Sequence, residues 1–370
     1  MGDHKFKIAI LGSQGIPAKF GGFETFAEQL ATRLVQREFS ITVFCEAGDD
    51  NTLTTYKGVT LKYFKTPKIK ALRSIWFDTL CIIKSLRKYD VIYMLGYSVA
   101  FAFFLPLLFG DKFIVNMDGL EWKRTKWSAF AKKYLRAMEY LAAKWSTRLV
   151  ADAEGIADYL KKRYGHPGRV VMIPYGADII EKFPNPEKLS SYGLEAKEYY
   201  LVVCRLEPEN HVLEIIRGFL NTSTQKKLVI IGDYQSGTPY TAALTQERDE
   251  RVLFLGSIYD QEQLTALRCH CYAYLHGHSV GGTNPSLLEA MACSNFVVAH
   301  DNVFNREVTG NNAWYFSSSL DVQRLLEKLE SEGVPPQAAA FFREIMEKKY
   351  NWDVVAESYA RLFQEVTVGG

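Results

Sequence analysis

The chain has 370 residues, nearly half of them apolar and under a quarter charged. That length is more than one hydrophobic core usually serves, so two domains are expected, and with no solenoid repeat or low-complexity tract the chain reads as globular. The net charge of +2 hides an asymmetry: residues 1–180 hold 27 Lys+Arg against 17 Asp+Glu, or +10, and the remaining 17 against 25 give −8.

In chain order, MGDHKFKIAILG runs straight into a strand, with no signal-peptide core before it. FETFAEQLATRLVQ has helical periodicity, placing Phe23, Phe26, Leu30 and Leu34 on one face. ITVFCE, VTLKYFKT, DVIYMLG, KFIVNMDG, RLVADAE and RVVMIPYG read as further strands of the first half. The apolar run Ser98–Phe109 is too short for a membrane span and contains Pro106, so it reads as a buried or membrane-touching segment. YYLVVCRL, KLVIIGD, RVLFLGS, CYAYLHG and NFVVAH are strands of the second half, and NWDVVAESYARLFQEV is an amphipathic helix. Strands alternating with helices predict parallel, doubly wound sheets. The fold class is therefore α/β, as two Rossmann-like domains with a ligand cleft between them. The turn-rich PYGADIIEKFPNP sets the boundary: 1–178, then 179–348, then a terminal helix over 349–370. Cys45, Cys81, Cys204, Cys269, Cys271 and Cys293 lack zinc-finger or Cys-x-x-Cys spacing, which predicts reduced thiols in a cytosolic protein.

Four stretches carry chemistry. In GSQGIPAKFGGFETF, glycines before a helix let backbone approach a ligand, and the helix start favours anions. The plain alternative is a tight strand-to-helix turn. The G-x-G-x-x-G fingerprint is absent, although Glu46 ends the next strand where the ribose acid of an NAD site would sit. In VCRLEPENH, Arg205 follows a strand and suits a diphosphate, or else a surface ion pair with Glu207 or Glu209.

In HSVGGTNPSLLEAMA, Asn284 is a good N-cap and Pro285 a good first helical residue. Spacing places Ser286, Glu289 and Cys293 on one face, with Leu287, Leu288 and Met291 packed inward. Glu289 lies deep for a mere dipole partner and is suited to ribose hydroxyls. His276 and His278 suit phosphate or sugar better than zinc, for which no third ligand is evident. Asp118, after a strand, is a base or hydroxyl acceptor, or equally a turn residue. The fourth stretch, Lys123–Arg148, mixes cations with Trp127, Phe130, Tyr134 and Trp145. It reads as a helix lying on an anionic membrane, or as an ordinary solvated face, and LKYFKTPKIKALR adds cations nearby.

FGGFETFAEQLA, CRLEPEN, VIIGD, VLFLGSIYDQEQL and SLLEAMACSNFVVA together resemble the family 4 glycosyltransferases of GT-B architecture. The opening ILGSQGIPAKFGGFETFAEQL, with HGHSVGGTNPSLLEAMA, is similar to the bacterial rhamnosyltransferase subgroup of capsule and cell-wall polysaccharide assembly. The resemblance implies a retaining transferase with no obligatory metal or cofactor. Its donor would be a nucleotide sugar, dTDP-L-rhamnose, and its acceptor a polyprenyl-diphosphate-linked saccharide. It would sit in the cytoplasm at the inner face of the plasma membrane, with no nucleic-acid partner. Carried over by position, Arg205 grips the diphosphate while Glu289 holds the ribose, and with Asp118, read from its place after a strand, they form the expected catalytic set. Gly15 and Gly22 line the phosphate side, and backbone around Ser257–Tyr259 meets the base. Asn210, Gly232, Tyr259, His276, His278 and Ser286 complete the donor contacts, with Gly282, Thr283 and Asn284 on the sugar and its phosphate. Two departures stand out: the family's first acid falls on Gly281, and its lysine after the Arg motif falls on Asn210. A catalytically inactive nucleotide-sugar or lipid-binding protein is the alternative, with an NAD-dependent oxidoreductase behind it.

Overall fold

The computed structural model describes residues 5–18, 21–48, 53–67, 69–124, 127–165, 167–247 and 249–368. Residues 1–4, Lys19 and Phe20 of the first glycine-rich stretch, and Lys68 and Lys126 of the basic stretches lie outside the described residues. The chain divides into two compact units: Met1–Tyr175 with Trp352–Gly370, and Gly176–Asn351.

The first unit is built on β1 (Lys7–Leu11), β2 (Ser40–Glu46), β3 (Thr55–Tyr56), β4 (Val59–Phe64), β5 (Val91–Leu95), β6 (Phe113–Asn116), β7 (Arg148–Ala151) and β8 (Val170–Met172). Between them run α1 (Gly22–Gln36), α2 (Lys70–Ser85), α3 (Phe104–Leu108), α4 (Ala129–Trp145) and α5 (Glu154–Tyr164). The sheet order is β3-β4-β2-β1-β5-β6-β7-β8, parallel except for the β3–β4 hairpin. β1, β5 and β6 are buried along nearly their whole length, which is why they read as unbroken apolar runs. The predicted basic helix is shorter than its sequence stretch. Ser128 caps α4, a 3-10 turn occupies Glu121–Lys123, and Arg148 begins β7. The apolar run divides into a 3-10 turn (Ala100–Ala102) and the short α3, with Pro106 inside its first turn.

The second unit has β9 (Tyr199–Val203), β10 (Lys227–Ile231), β11 (Val252–Gly256), β12 (Ala273–His276), β13 (Val297–His300) and β14 (Trp314–Phe316). Its helices are α6 (Val212–Leu220), α7 (Pro239–Gln246), α8 (Gln261–His270), α9 (Pro285–Ala292), α10 (Val303–Val308), α11 (Ser319–Glu332) and α12 (Pro336–Ile345). All six strands are parallel in the order β11-β10-β9-β12-β13-β14. The strand order reverses between β9 and β12, and the crevice outside the carboxyl ends of such a pair is where doubly wound sheets bind ligands.

The terminal helix α13 (Trp352–Val368) belongs to the first unit. Trp352, Tyr359 and Phe363 enter the core beside Phe26, Leu30 and Leu34 of α1. Tyr93 and Tyr359 hydrogen-bond through their hydroxyls at 2.8 Å, and Asn116 Nδ2 donates to Tyr93 Oη at 3.2 Å, so this buried polar chain is satisfied. β3 and β14 were not expected from sequence, since two and three residues are too few to display a period.

Candidate functional site

In the first unit, the loop after β1 is fastened by carboxylates of α1. Glu24 accepts from the Gln14 amide at 2.9 Å, and Glu28 accepts from the Ala18 amide at 2.8 Å. Two amides of this loop are thus already taken. Gly15 has φ +120°, and a Cβ there would come within 2.6 Å of the Cys45 side chain, so close packing fixes this glycine. Gly22 opens α1 with free space around it. Glu46 is gripped by both Nε and Nη2 of Arg73, so the acid an NAD ribose would need is occupied. Asp118 is exposed just past β6, in a left-handed conformation with φ 38°, and its amide donates to Asn116 Oδ1.

The second unit gathers more of the expected residues at the β9/β12 switch point. Arg205 follows β9 with most of its guanidinium in solvent, a loose 3.7 Å from Glu207. The surface pair anticipated from sequence therefore exists, and it leaves the guanidinium accessible. Asn210 is buried, and both ends of its amide are used internally. Nδ2 donates to the Arg205 carbonyl at 2.6 Å, and Oδ1 faces His278 Nδ1 at 2.7 Å. With Oδ1 as acceptor, His278 carries its proton on Nδ1. Asn210 is thus a brace between the Arg205 and His278 loops and not a free donor contact.

Glycines allow the backbones to close here. A Cβ at Gly277 would lie 1.9 Å from the Asn210 carbonyl oxygen, and one at Gly232 would lie 2.3 Å from that of Cys204. Gly232 is accordingly a close-approach residue, whatever it borders. Gly281 has φ +112°, so the missing first acid coincides with a backbone that disfavours any side chain.

α9 begins as the sequence predicts. Asn284 Oδ1 accepts from the Ser286 amide at 2.9 Å, and Pro285 is the first helical residue. Gly282 and the buried Thr283 form the turn before it. The Ser286 hydroxyl turns inward, donating to the Val203 carbonyl at 2.8 Å and pairing with Tyr274 Oη at 2.6 Å. That contact ties the start of α9 to the end of β9, two residues before Arg205. The proposed common face of Ser286, Glu289 and Cys293 does not hold. α9 ends at Ala292, and Cys293 is buried with its Sγ 2.9 Å from that of Cys269. Leu287, Leu288 and Met291 are fully buried, as the pattern required.

Glu289 forms an ion pair with Arg268, which projects from α8 and is almost completely buried, while Glu289 stays half-exposed. Spacing gave no signal for this partner. His276 is 3% exposed, and its Nε2 has no hydrogen-bond partner among the described residues. Burial, then the neighbouring His278 and His300, holds its pKa well below the usual imidazole range. His211 and His300, neither anticipated, stack at 4.1 Å between centroids. Burial, then His211, lowers His300 to about 4. Tyr259 is exposed after β11, beside the α8 cap Asp260. Among the described residues no group of three or more His, Cys, Asp or Glu could hold a metal ion, and all six cysteines are free thiols.

Residues 5–178 match a domain of unknown function (DUF1972), and residues 185–332 match the family described as Glycosyl transferases group 1. No curated protein matches. Among solved structures, sucrose-phosphate synthase from Thermosynechococcus elongatus has a TM-score of 0.83 at 15% identity, covering 99% of this chain and 100% of that one. Anabaena HepE in complex with UDP-glucose has a TM-score of 0.77 at 16% identity, covering 97% and 100%. The catalytic domain of starch synthase IV from Arabidopsis thaliana, bound to ADP and acarbose, has a TM-score of 0.71 at 11% identity, covering 98% and 100%. Residues 185–332 of the second unit therefore match a group 1 glycosyl transferase domain, and the chain has the GT-B fold.

Proposed function

We propose that the second unit binds a nucleotide diphosphate sugar, with dTDP-L-rhamnose as donor, and that the sugar passes to a polyprenyl-diphosphate-linked saccharide with retention of configuration. The observation that carries the donor site is the tie between Ser286 and the Val203 carbonyl. It brings the first turn of α9 against the strand end that presents Arg205. One turn further along α9, Glu289 is held by Arg268. Arg205 would then face the diphosphate, and Glu289 the ribose hydroxyls.

In the transfer, the bond from the anomeric carbon to the diphosphate oxygen breaks, a bond to the acceptor hydroxyl oxygen forms, and the hydroxyl proton passes to the leaving diphosphate. The leaving diphosphate takes up negative charge, and positioned donors such as the Arg205 guanidinium are worth most at that moment. UDP-glucose in the HepE structure supports a nucleotide-sugar donor. The resemblance of HGHSVGGTNPSLLEAMA to rhamnosyltransferases supports rhamnose, and a glycine at position 281 suits a deoxy sugar with fewer hydroxyls to satisfy. The resemblance also implies turnover without an obligatory metal. The basic first unit would meet the inner membrane surface, in the service of bacterial surface polysaccharide assembly. No helix among the described residues is long and apolar enough to cross a membrane.

The test is incubation with dTDP-L-rhamnose, UDP-glucose and other donors in the presence of polyprenyl-diphosphate-linked saccharides, followed by mass spectrometry of the lipid product. A deoxyhexose increment from the rhamnose donor is expected. No transfer from any donor in the panel contradicts the reading.

A further inference from the structure

The outer surface of the first unit carries apolar side chains that its own fold does not cover. Trp76 and Ile83 stand seven residues apart on α2 and so share a face; they are 57% and 48% exposed. On α3, Leu107 and the following Leu108 and Phe109 are exposed, Leu108 at 71%. On α4, Phe130 is 81% exposed. These helices are neighbours. α3 packs against α2, and the 3-10 turn preceding it packs against α4. The Phe104 ring lies 5.8 Å from Trp145, and Tyr134 Oη donates to the Ser98 carbonyl at 2.7 Å. Large apolar side chains grouped this way are unusual on a monomer surface and mark an interaction site.

Charge identifies the partner. Across α2, α3 and α4 the only acids are Asp78 and Glu139, and both are buried. The exposed charge of these three helices is therefore entirely positive. Lys84 on α2 and Lys133 and Lys144 on α4 are exposed, and Arg87 and Lys88 follow just after α2. The nearby Asp111 is tied to the Arg87 amide at 2.9 Å. A second copy of this chain would bring cations against cations. A bilayer with anionic headgroups matches both properties, since its interface accepts apolar side chains and its surface potential attracts lysine and arginine.

We propose that the α2–α3–α4 surface of the first unit seats the protein on an anionic membrane, with Trp76, Leu107, Leu108, Phe109 and Phe130 entering the headgroup region. The basic stretch Lys123–Arg148 and the apolar run Ser98–Phe109 thereby join in one surface, to which α3 and α2 supply most of the exposed apolar side chains. The purpose of the contact rests on the proposed lipid-linked acceptor; the contact itself rests on the surface.

The experiment is co-sedimentation of the full chain with vesicles of phosphatidylcholine alone or with one-third phosphatidylglycerol, at low and high salt. Binding is expected to the phosphatidylglycerol vesicles and to weaken with salt. Leu107→Asp/Leu108→Asp should lower the partition coefficient at least tenfold, and the milder Leu108→Ser and Phe130→Ser should lower it severalfold. The melting temperature should hold, because these side chains are exposed. Wild-type indifference to phosphatidylglycerol, or unchanged partition of the aspartate variant, overturns the proposal. So does a discrete dimer by light scattering that the same substitutions dissociate. Nucleotide thermal shifts on the same samples separate the two readings. Loss of vesicle binding with intact nucleotide binding implicates the surface alone, and vesicle binding without any nucleotide binding sinks only the transfer reading.

Discussion

The carboxylate of Glu289 on α9 rests on Nη2 of Arg268, whose side chain is 5% exposed and whose Nε has no hydrogen-bond partner among the described residues. A buried cation held by one half-exposed acid makes Glu289 structural as well as a ligand candidate. Glu289→Ala should destabilise the second unit by about 3 kcal/mol, because the guanidinium loses its counter-charge in a dry site. The double variant Arg268→Met/Glu289→Gln should regain most of that loss, since no buried charge remains, and still fail to bind a nucleotide diphosphate. Denaturant unfolding and nucleotide titration of the same variants check both halves.

At Gly277 the prediction is steric. A methyl group there would press to 1.9 Å against the Asn210 carbonyl, a backbone atom with little freedom to retreat. Gly277→Ala should cost about 2 kcal/mol. It should also weaken nucleotide binding by moving the Arg205 loop, which Asn210 braces through its 2.6 Å bond to the Arg205 carbonyl. An alanine variant of wild-type stability and affinity would show that the two loops are free to separate.

Glu139 in α4 is buried and accepts from Trp122 Nε1 at 2.8 Å, Tyr159 Oη at 2.8 Å and Tyr164 Oη at 2.6 Å. One carboxylate therefore joins α4 to α5 and to the 3-10 turn before it. Glu139→Ala should destabilise the first unit by about 3–5 kcal/mol by leaving three donors without an acceptor. Glu139→Gln, which keeps one acceptor oxygen, should cost less. Calorimetry or chemical unfolding distinguishes them.

The histidines predict a pH dependence of stability. Burial and the stacked His211 depress His300 to about 4, and burial, then His278 and His300, holds His276 well below the usual imidazole range. Below about pH 6.5 the unfolded chain takes up protons at these positions that the folded chain refuses. Stability should be complete above pH 6.5 and fall as pH drops toward 4. His300→Gln should flatten that slope, read as melting temperature against pH. An unchanged slope would locate the acid sensitivity elsewhere.

The architecture was legible because buried parallel strands write themselves as apolar runs, such as KIAIL and VIYML, and α1 displays Phe26, Leu30 and Leu34 at helical spacing. Glu289 was legible as a charge inside an apolar helix. Its partner was not, because Arg268 lies on a different helix and no local period links them. Cys293 was misplaced because helical spacing was carried one residue past the end of α9. Asn210 reads in sequence as a lost lysine, and only the fold reveals a brace with both amide ends engaged.

The most direct test of the proposed donor site is calorimetric titration of dTDP, dTDP-L-rhamnose, UDP and UDP-glucose into the wild type, Arg205→Ala and Arg268→Met/Glu289→Gln. Wild-type binding of a nucleotide diphosphate is expected, weakening at least tenfold in each variant, with the folded fraction of Arg205→Ala unchanged because that side chain is exposed. Binding that survives both variants, or no binding of any nucleotide diphosphate by the wild type, would contradict it.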